Sequence, residues 1–310
     1  MKKVTVIGAG NVGATTVQRL AEKELADVVV IDVLEGVPAG KALDMVETGP
    51  IERYDSNVTG TTGDYAPMQG SDVVIVTAGI ARKPGMSRDD LFKVNRDIVT
   101  GVCENVKKYA PDAVLLMVTN PLDLMSYVAW KVTGFPAERV IGMAGVLDSA
   151  RLASFVGMEL GVSVKDISAM VLGGHGDTMV PMPRFTTVGG ISITELLPKE
   201  AIDRISQRAR DGGAEIVKLL KTGSAYYAPS ASVVAMAEAI LLGKNRIFPA
   251  SVLLHGQYGY ENIFLGVPCI IGKGGLVKIV DLKLTAEEKA GLDKSANAVS
   301  TQMREMGLVS

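Results

Sequence analysis

Short apolar runs alternate with segments of helical periodicity through the first half of the chain. Six of these runs predict β-strands, at residues 4–7, 27–32, 57–62, 72–77, 113–118 and 140–143. The segments with helical spacing predict helices at residues 11–23, 37–47 and 88–109. Strands that are apolar on both faces and separated by helices are typical of a parallel, doubly wound sheet.

The pattern changes after about residue 145. Helical spacing recurs at residues 148–160, 199–220 and 230–242, and β-like pieces occur at residues 251–258 and 267–282. Thr285 to Glu288 have the form of a capping box, which predicts the start of a final helix. We therefore expect an α/β domain at residues 1–144 and a mixed α+β domain at residues 145–310.

The composition is that of an ordinary globular protein. The 310 residues include 47% hydrophobic and 21% charged residues, with a formal net charge of −2. This balance predicts no broad attraction to nucleic acid or to an anionic membrane. No apolar run approaches the roughly 20 residues of a spanning helix. Gly8 and Gly10 interrupt the first apolar run, so we interpret it as a strand rather than an export signal.

The two cysteines, Cys103 and Cys269, lie far apart in the sequence and form no CxxC motif. Their spacing predicts neither a disulfide framework nor a cysteine-rich metal site, and no metal is expected. Two buried free thiols are the simplest interpretation, with the cytoplasm as the default compartment.

A glycine-rich turn follows the first predicted strand. Gly8-Ala9-Gly10-Asn11-Val12-Gly13 precedes a helix, and Asp32 ends the second strand, which together form the context of a dinucleotide-binding Rossmann motif. A structural glycine turn is the alternative. The helix N-terminus would bind phosphate and Asp32 the adenine ribose, where a 2′-phosphate meets a like charge, so NAD is favoured over NADP. Lys41 is near enough in sequence to affect that preference.

One of only two histidines, His175, lies between glycines in the segment Gly173-Gly174-His175-Gly176-Asp177. A histidine by itself is more often structural, but three other signals accompany this one. Asp148 and Arg151 share one helix face at a helix start, although such a pair can equally be a surface ion pair. The segment from Ala81 to Arg88 carries two arginines around a Pro-Gly turn, as an anion-binding lid or a solvated basic loop would.

The third signal, Thr119-Asn120-Pro121, follows another predicted strand. Ligands of doubly wound sheets bind beyond the carboxyl ends of the strands. The glycine turn, Asp32, the Arg82 segment and Asn120 are all predicted to lie at that edge. Their convergence favours redox chemistry on a small molecule.

These motifs resemble the lactate/malate dehydrogenase family, and within it the malate dehydrogenases of the lactate-dehydrogenase-like type. The resemblance covers nearly the full length and includes five motifs: GAGNVG, ARKPGMSRDDL, VTNPLD, LDSAR and GGHGDTMVP. It implies NAD as the cofactor and a reversible hydride transfer between malate and oxaloacetate. It also implies a homodimer or homotetramer and a place in the tricarboxylic acid cycle, while the charge balance predicts no nucleic-acid or membrane partner.

The resemblance assigns catalytic roles residue by residue. His175 is expected to be the general acid/base, and Asp148 to bind the far imidazole nitrogen, fix its tautomer and favour its protonated form. Arg151 is expected to clamp the substrate C1 carboxylate. Arg88 is expected to polarise the reacting C–O bond when the lid closes. Asn120 is expected near the substrate oxygen and the nicotinamide.

The cofactor residues implied in the same way lie at the predicted sheet edge. They are Gly8, Gly10, Asn11, Val12, Gly13, Asp32, Thr77, Ala78, Gly79, Asn95, Val118 and Asn120.

Arg82 is expected to decide the substrate, because lactate-specific relatives carry a neutral glutamine there. A lid closed over a second carboxylate without a cation would bury an unpaired charge. Lactate dehydrogenase is thus the nearest alternative, followed by a non-catalytic dinucleotide-binding protein. An NAD-dependent glycosidase should need a Cys/His metal site, which neither cysteine's position suggests.

The resemblance gives no role to three further residues. His255, Tyr226 and Tyr227 are interpreted as structural or packing residues. Ala225 stands where the family lines its substrate pocket, and its small side chain leaves room for a bulky substrate end.

Overall fold

A computed structural model describes residues 2–81 and 86–309, and of Arg88 it describes only the backbone. The chain forms two compact units. The first contains the chain up to Met143 together with residues 226–246 and 270–278, and the second contains the remainder. Arg82, the residue predicted to decide the substrate, lies outside the described residues.

The first unit is built around a parallel sheet. Its strands are β1 (Lys3–Ile7), β2 (Asp27–Asp32), β3 (Val58–Thr62), β4 (Val73–Val76), β5 (Val114–Met117) and β6 (Val140–Gly142). They lie in the order β3-β2-β1-β4-β5-β6 and are parallel throughout. The reversal of strand order beside β1 is the topological switch point of a doubly wound sheet.

The register of these strands aligns their carboxyl ends. Ile7 pairs with both Ile31 and Val76, and Val76 pairs with Met117. The chain segments that follow β1, β2, β4 and β5 therefore leave the sheet at one edge. The sequence predicted candidate cofactor residues at this edge.

The sheet is covered by helices α1 (Asn11–Glu22), α2 (Val37–Glu52), α3 (Arg88–Tyr109) and α4 (Leu122–Thr133). Helix α4 was not predicted. Every residue from Leu122 to Ala129 is buried, so this stretch is mostly apolar and lacks the one-sided periodicity that reveals a helix. Helix α2 also extends past the predicted end at Glu47.

The second unit is mixed α+β. Its helices are α5 (Gly145–Leu160), α6 (Ile193–Leu196), α7 (Lys199–Leu220) and, at the end of the chain, α9 (Ala286–Glu305), while α8 (Tyr227–Leu241) lies in the first unit. Its short strands are β7 (Ile167–Ser168), β8 (Val171–Leu172), β9 (Val180–Pro181), β10 (Thr187–Val188) and β11 (Ile191–Ser192). Most of β12 (Arg246–His255) and of β13 (Glu261–Gly272) also belongs to the second unit, whereas nearly all of β14 (Gly275–Ile279) belongs to the first.

The core of the second unit lies between α5 and α7. Leu152 and Val156 of α5 pack with Ile205 and Ala209 of α7, and all four side chains are buried. The capping box predicted at Thr285 is present, with Glu288 completing it.

The α/β architecture, a Rossmann-type parallel sheet with a mixed C-terminal part, is the predicted fold class and is confirmed. The predicted domain boundary near residue 144 stays a prediction. Cys103 and Cys269 are both buried free thiols. Across the described ranges, no helix has the length and apolar character to cross a membrane.

Candidate functional site

The glycine turn after β1 needs glycine at its first and last positions for steric reasons. A methyl group on Gly13 would lie 1.7 Å from the carbonyl oxygen of Gly8. Gly8 has φ +107°, and a methyl group there would lie 2.6 Å from Oγ1 of Thr77. In contrast, a methyl group on Gly10 would meet nothing within 4 Å. Nothing inside the protein requires glycine at position 10, but a ligand approaching the backbone would.

The N-terminus of α1, which begins directly after this turn, is equipped to bind an anion. Its N-cap, Gly10, supplies no side-chain hydrogen bond, and its first turn carries no acidic residue. Helices α3 and α9 differ, because Ser87 and Thr285 cap them and acidic residues occupy their first turns. The positive end of the α1 dipole is therefore left for a ligand, and a dinucleotide pyrophosphate fits these groups.

Asp32, at the end of β2, is fixed beside the glycine turn. Its Oδ2 accepts a hydrogen bond from the Ala9 backbone N–H at 2.5 Å, and its Oδ1 accepts one from the Leu34 N–H at 3.0 Å. These bonds hold the carboxylate at the sheet edge where the sequence predicts the adenine ribose.

Asn95 connects the segments that follow β4 and β5. Its Oδ1 accepts from the Ile80 N–H at 2.8 Å, and its Nδ2 donates to the carbonyls of Ile80 and Asn120 at 3.1 and 2.7 Å. The side chain is 1% exposed. Asn95 therefore holds the backbone at Asn120 and Ile80 in place, which is an indirect way of shaping a cofactor site.

The other predicted residues at this edge also bind backbone groups. Thr77 Oγ1 donates to the carbonyls of Ile7 and Gly8, and Thr119 Oγ1 donates to the carbonyl of Ala78 at 2.7 Å. A methyl group on Gly79, at φ +153°, would lie 2.6 Å from Thr119 Cγ2. The turns after β1, β4 and β5 thus form one connected backbone surface in the first unit.

In the second unit, hydrogen bonds anchor the two glycines that precede His175. Gly173, at φ +85°, exchanges hydrogen bonds of 2.8 and 3.1 Å with Gly266, and a methyl group on Gly266 would lie 2.4 Å from the Gly173 carbonyl oxygen. The next N–H, that of Gly174, donates to Oγ of the buried Ser295 at 2.8 Å. The backbone before His175 is thereby held in one position.

Asp148 lies in the first turn of α5 and contacts both a histidine and an arginine. Its Oδ2 is 2.9 Å from His175 Nδ1, and its Oδ1 is 3.4 Å from Arg151 Nη1. The side chains of Asp148, His175 and Arg151 are only 2%, 14% and 13% exposed. The interpretation of Asp148 and Arg151 as a surface ion pair is therefore wrong, because burial removes both groups from bulk solvent.

The burial of Arg151 leaves its charge incompletely compensated. Burial lowers the pKa of the Arg151 guanidinium, and the negative charge of Asp148 opposes that shift. Among the described residues, Arg151 Nε is one of two buried side-chain nitrogen or oxygen atoms without a hydrogen-bond partner. A buried guanidinium with an unused donor is suited to receive a carboxylate.

Sequence reasoning missed the residues that support this group. A methyl group on Gly212 or Gly213, in the middle of α7, would lie 3.1 Å from Arg151 Cδ or 3.4 Å from Arg151 Nη2. Two adjacent glycines inside a helical pattern are costly and were a usable signal. Ser295 gave no such signal, because its partner is 121 positions away.

The remaining residues named in the sequence analysis either lie away from the Asp148–His175–Arg151 group or are not described by the structure. Arg82 and the side chain of Arg88 lie outside the described residues. His255 ends β12 with an exposed side chain, 4.0 Å from Glu261. Tyr226 is the N-cap of α8 and Tyr227 its first residue, three positions before the predicted start at residue 230; Tyr227 is 65% exposed, so its interpretation as a packing residue is wrong.

Comparison with known proteins extends over almost the whole chain. The NAD-binding domain of lactate/malate dehydrogenases matches residues 2–142, and the α/β C-terminal domain of the same enzymes matches residues 145–307. A malate dehydrogenase of Roseiflexus sp. (strain RS-1) is 54% identical over 301 residues, which is 97% of both chains.

Two solved structures from Cryptosporidium parvum are similar to a comparable degree. Its malate dehydrogenase has a TM-score of 0.96 at 43% identity and covers 99% of both chains. Its lactate dehydrogenase, complexed with lactic acid and NAD, has a TM-score of 0.95 at 42% identity, covering 100% of this chain and 99% of that one. The fold therefore does not by itself separate the two substrate classes.

The family match also decides the cofactor and the type of enzyme. Its first domain is an NAD-binding domain, so the prediction of NAD is confirmed, as is that of an NAD-dependent dehydrogenase. A non-catalytic dinucleotide-binding protein and an NAD-dependent glycosidase are both disfavoured by the same match. With its two matched domains and its relatives at above 50% identity, the chain belongs to the lactate/malate dehydrogenase family.

Proposed function

We propose that the enzyme interconverts (S)-malate and oxaloacetate, with NAD as the hydride acceptor and NADH as the donor. The buried Asp148–His175–Arg151 group carries this proposal, because it joins a titratable base to a carboxylate-binding cation in one unit. The names of the curated relatives support the choice of malate, since those at 52–55% identity are malate dehydrogenases.

His175 is the proposed general acid/base. During malate oxidation its ring nitrogen Nε2 takes the hydroxyl proton, and during oxaloacetate reduction it returns that proton. Asp148 lies on the other ring nitrogen, Nδ1, at 2.9 Å. A carboxylate in that position favours the tautomer with a proton on Nδ1 and stabilises the imidazolium formed when Nε2 is protonated.

Arg151 is the proposed partner of the substrate C1 carboxylate. Asp148 holds Arg151 from one side and occupies only part of its donor capacity. A two-pronged carboxylate contact would orient the substrate carbon relative to His175. Asn120 is proposed to lie near the substrate oxygen, and Arg88 to polarise the reacting C–O bond.

The cofactor is proposed to bind along the edge of the parallel sheet. The backbone at Gly10, Asn11 and Val12 would contact the pyrophosphate, and Asp32 the adenine ribose hydroxyls. When bound, the nicotinamide supplies the hydride chemistry at its C4 atom. The residues of this chain contribute binding and orientation.

The choice between malate and lactate is proposed to depend on Arg82. Malate carries a second carboxylate where lactate carries a methyl group, and a cation is needed wherever that carboxylate is removed from water. Discrimination of about 2–5 kcal/mol between the two acids is a reasonable expectation for such a contact.

A spectrophotometric assay of NADH oxidation tests the proposed function directly. We expect rapid oxidation with oxaloacetate, slow oxidation with pyruvate, and a loss of at least about a hundredfold in kcat for His175→Gln. His255→Gln is the matched control, because this second histidine is exposed at the end of β12. A pyruvate rate equal to the oxaloacetate rate would instead favour lactate dehydrogenase.

We also propose a cytoplasmic homodimer or homotetramer that functions in the tricarboxylic acid cycle. Exposed apolar side chains on α2 and α7, among them Leu43, Ile51 and Leu219, support association. Light scattering on the purified protein measures the subunit number, and a monomeric mass would contradict the assembly.

A further inference from the structure

Lys41 makes a contact that the roles described above do not use. It lies in α2, and its Nζ donates a hydrogen bond of 2.6 Å to the carbonyl oxygen of Ala9. Ala9 is the residue between Gly8 and Gly10 of the turn, and its N–H is bound by Asp32 at 2.5 Å. The backbone of one residue in the cofactor turn is thus held from two directions by opposite charges.

The surroundings of Lys41 leave space for a ligand. Gly36, the N-cap of α2, and Gly40, next to Lys41, would each meet nothing within 4 Å if they carried a methyl group. The Lys41 side chain is only partly buried. The Lys41 ammonium and the Asp32 carboxylate are therefore both held against the backbone of Ala9, and the neighbouring positions of α2 leave open space.

We infer that Lys41 is a second determinant of the choice between NAD and NADP, opposing Asp32. The inference rests on the proposed placement of the adenine ribose at Asp32. A 2′-phosphate at that position carries negative charge that Asp32 repels and the Lys41 ammonium attracts. In the natural protein Asp32 prevails, because its carboxylate also accepts hydrogen bonds from the ribose hydroxyls of NAD.

Lys41 also holds the turn through Ala9, so the test must separate this structural effect from an effect on the choice between NAD and NADP. Loss of the contact to Ala9 should weaken the binding of NADH and NADPH equally, because both cofactors carry the same pyrophosphate and bind the same turn. Attraction of a 2′-phosphate affects NADPH alone. The ratio of the two dissociation constants therefore isolates the selective effect.

The experiment measures NADH and NADPH binding by fluorescence titration of the full-length protein. The variants are Asp32→Asn, Lys41→Gln, Asp32→Asn with Lys41→Gln, and Asp32→Asn with Lys41→Arg. We expect Asp32→Asn to strengthen NADPH binding about tenfold or more. Adding Lys41→Gln to Asp32→Asn should remove most of the increase in NADPH affinity, while adding Lys41→Arg should retain that increase.

Lys107→Gln in the Asp32→Asn background is the matched control, since Lys107 is an exposed lysine near the end of α3. Thermal unfolding and NADH binding establish that each variant is folded. Equal weakening of NADH and NADPH by Lys41→Gln would overturn the inference and leave Lys41 as a support of the turn. If the natural protein does not reduce oxaloacetate but the variants still change the ratio of NADPH to NADH affinity as expected, the proposed substrate is refuted and the role of Lys41 is not.

Discussion

The hydroxyl of Ser230 lies 2.9 Å from the carbonyl oxygen of Val12, although the two residues are 218 positions apart, and shares its proton between that oxygen and the carbonyl oxygen of Tyr226 at 2.5 Å. Ser230 is fully buried in α8, and Val12 belongs to the first turn of α1. The same carbonyl accepts from Thr16 Oγ1 at 2.8 Å. Helix α8, from the second half of the chain, thereby stabilises the turn proposed to bind the cofactor pyrophosphate.

Replacement of Ser230 by alanine should weaken cofactor binding. The variant loses a buried hydrogen bond to the first turn of α1, and we expect it to cost about 1 kcal/mol of unfolding free energy and to raise the Kd for NADH several-fold. Calorimetry and fluorescence titration measure the two effects. Ser232→Ala is the control, since buried Ser232 donates to Ala228 within its own helix. Equal effects of the two variants on NADH binding would argue against this role of Ser230.

Replacement of Asp148 by asparagine should change both rate and pH dependence. The charge that stabilises the His175 imidazolium is lost, so the pH at which oxaloacetate reduction declines should fall. Malate oxidation, which needs the neutral imidazole, should extend to lower pH. We also expect kcat/KM to fall at least about a hundredfold, since the tautomer is no longer fixed.

Steady-state kinetics in both directions from pH 5 to 10 check this expectation. Asp203→Asn, at an exposed carboxylate of α7, is the control. A variant at position 148 with the natural pH profile would remove Asp148 from the mechanism.

Gly212→Ala should impair substrate binding without unfolding the protein. The added methyl group would lie 3.1 Å from Cδ of Arg151 and displace its guanidinium, while the helix itself gains up to about 1 kcal/mol from alanine. We expect the KM for oxaloacetate to rise about tenfold or more. Gly101→Ala in α3 is the control, because its methyl group meets nothing within 4 Å. An unchanged KM at full stability would contradict this account of Arg151.

Glu238 predicts a pH-dependent stability. Hydrogen bonds and charge from Lys244 and Lys23 lower the pKa of Glu238 from 4.5 to about 2. Because the pKa of Glu238 is lower in the folded than in the unfolded protein, its carboxylate contributes fully to the free energy of unfolding above about pH 5. This contribution disappears as the pH falls towards 2. The difference in melting temperature between the natural protein and Glu238→Gln should follow this course. Glu104→Gln, at an exposed position of α3, should show no comparable trend.

Arg82→Gln should shift the substrate preference from oxaloacetate towards pyruvate. The glutamine removes the proposed cation for the second carboxylate, and a loss of about 2 kcal/mol or more corresponds to at least a thirtyfold fall in kcat/KM for oxaloacetate. Pyruvate reduction should rise at the same time. Steady-state kinetics with both ketoacids measure the ratio of kcat/KM values, and an unchanged ratio would show that Arg82 does not decide the substrate.

Several features of the fold and site could be predicted from short stretches of sequence. The apolar runs predicted the strands of the parallel sheet, and Gly8, Gly13 and Asp32 predicted the turn beside β1. The capping box at Thr285 was also predicted from the sequence and is present. Each of these signals depends on backbone geometry or on periodicity within a window of a few residues.

Other features were decided only by the tertiary structure. Helix α4 was missed because neighbours bury it on all sides, which erases its amphipathic pattern. Ser295 at Gly174 and Ser230 at Val12 were unpredictable, because each serine meets its partner only after the chain has folded. The sequence by itself therefore determined which segments form the turn, the strands and the histidine loop. The fold determined which side chains hold them in place, since contacts such as those of Ser230 and Ser295 join residues more than a hundred positions apart.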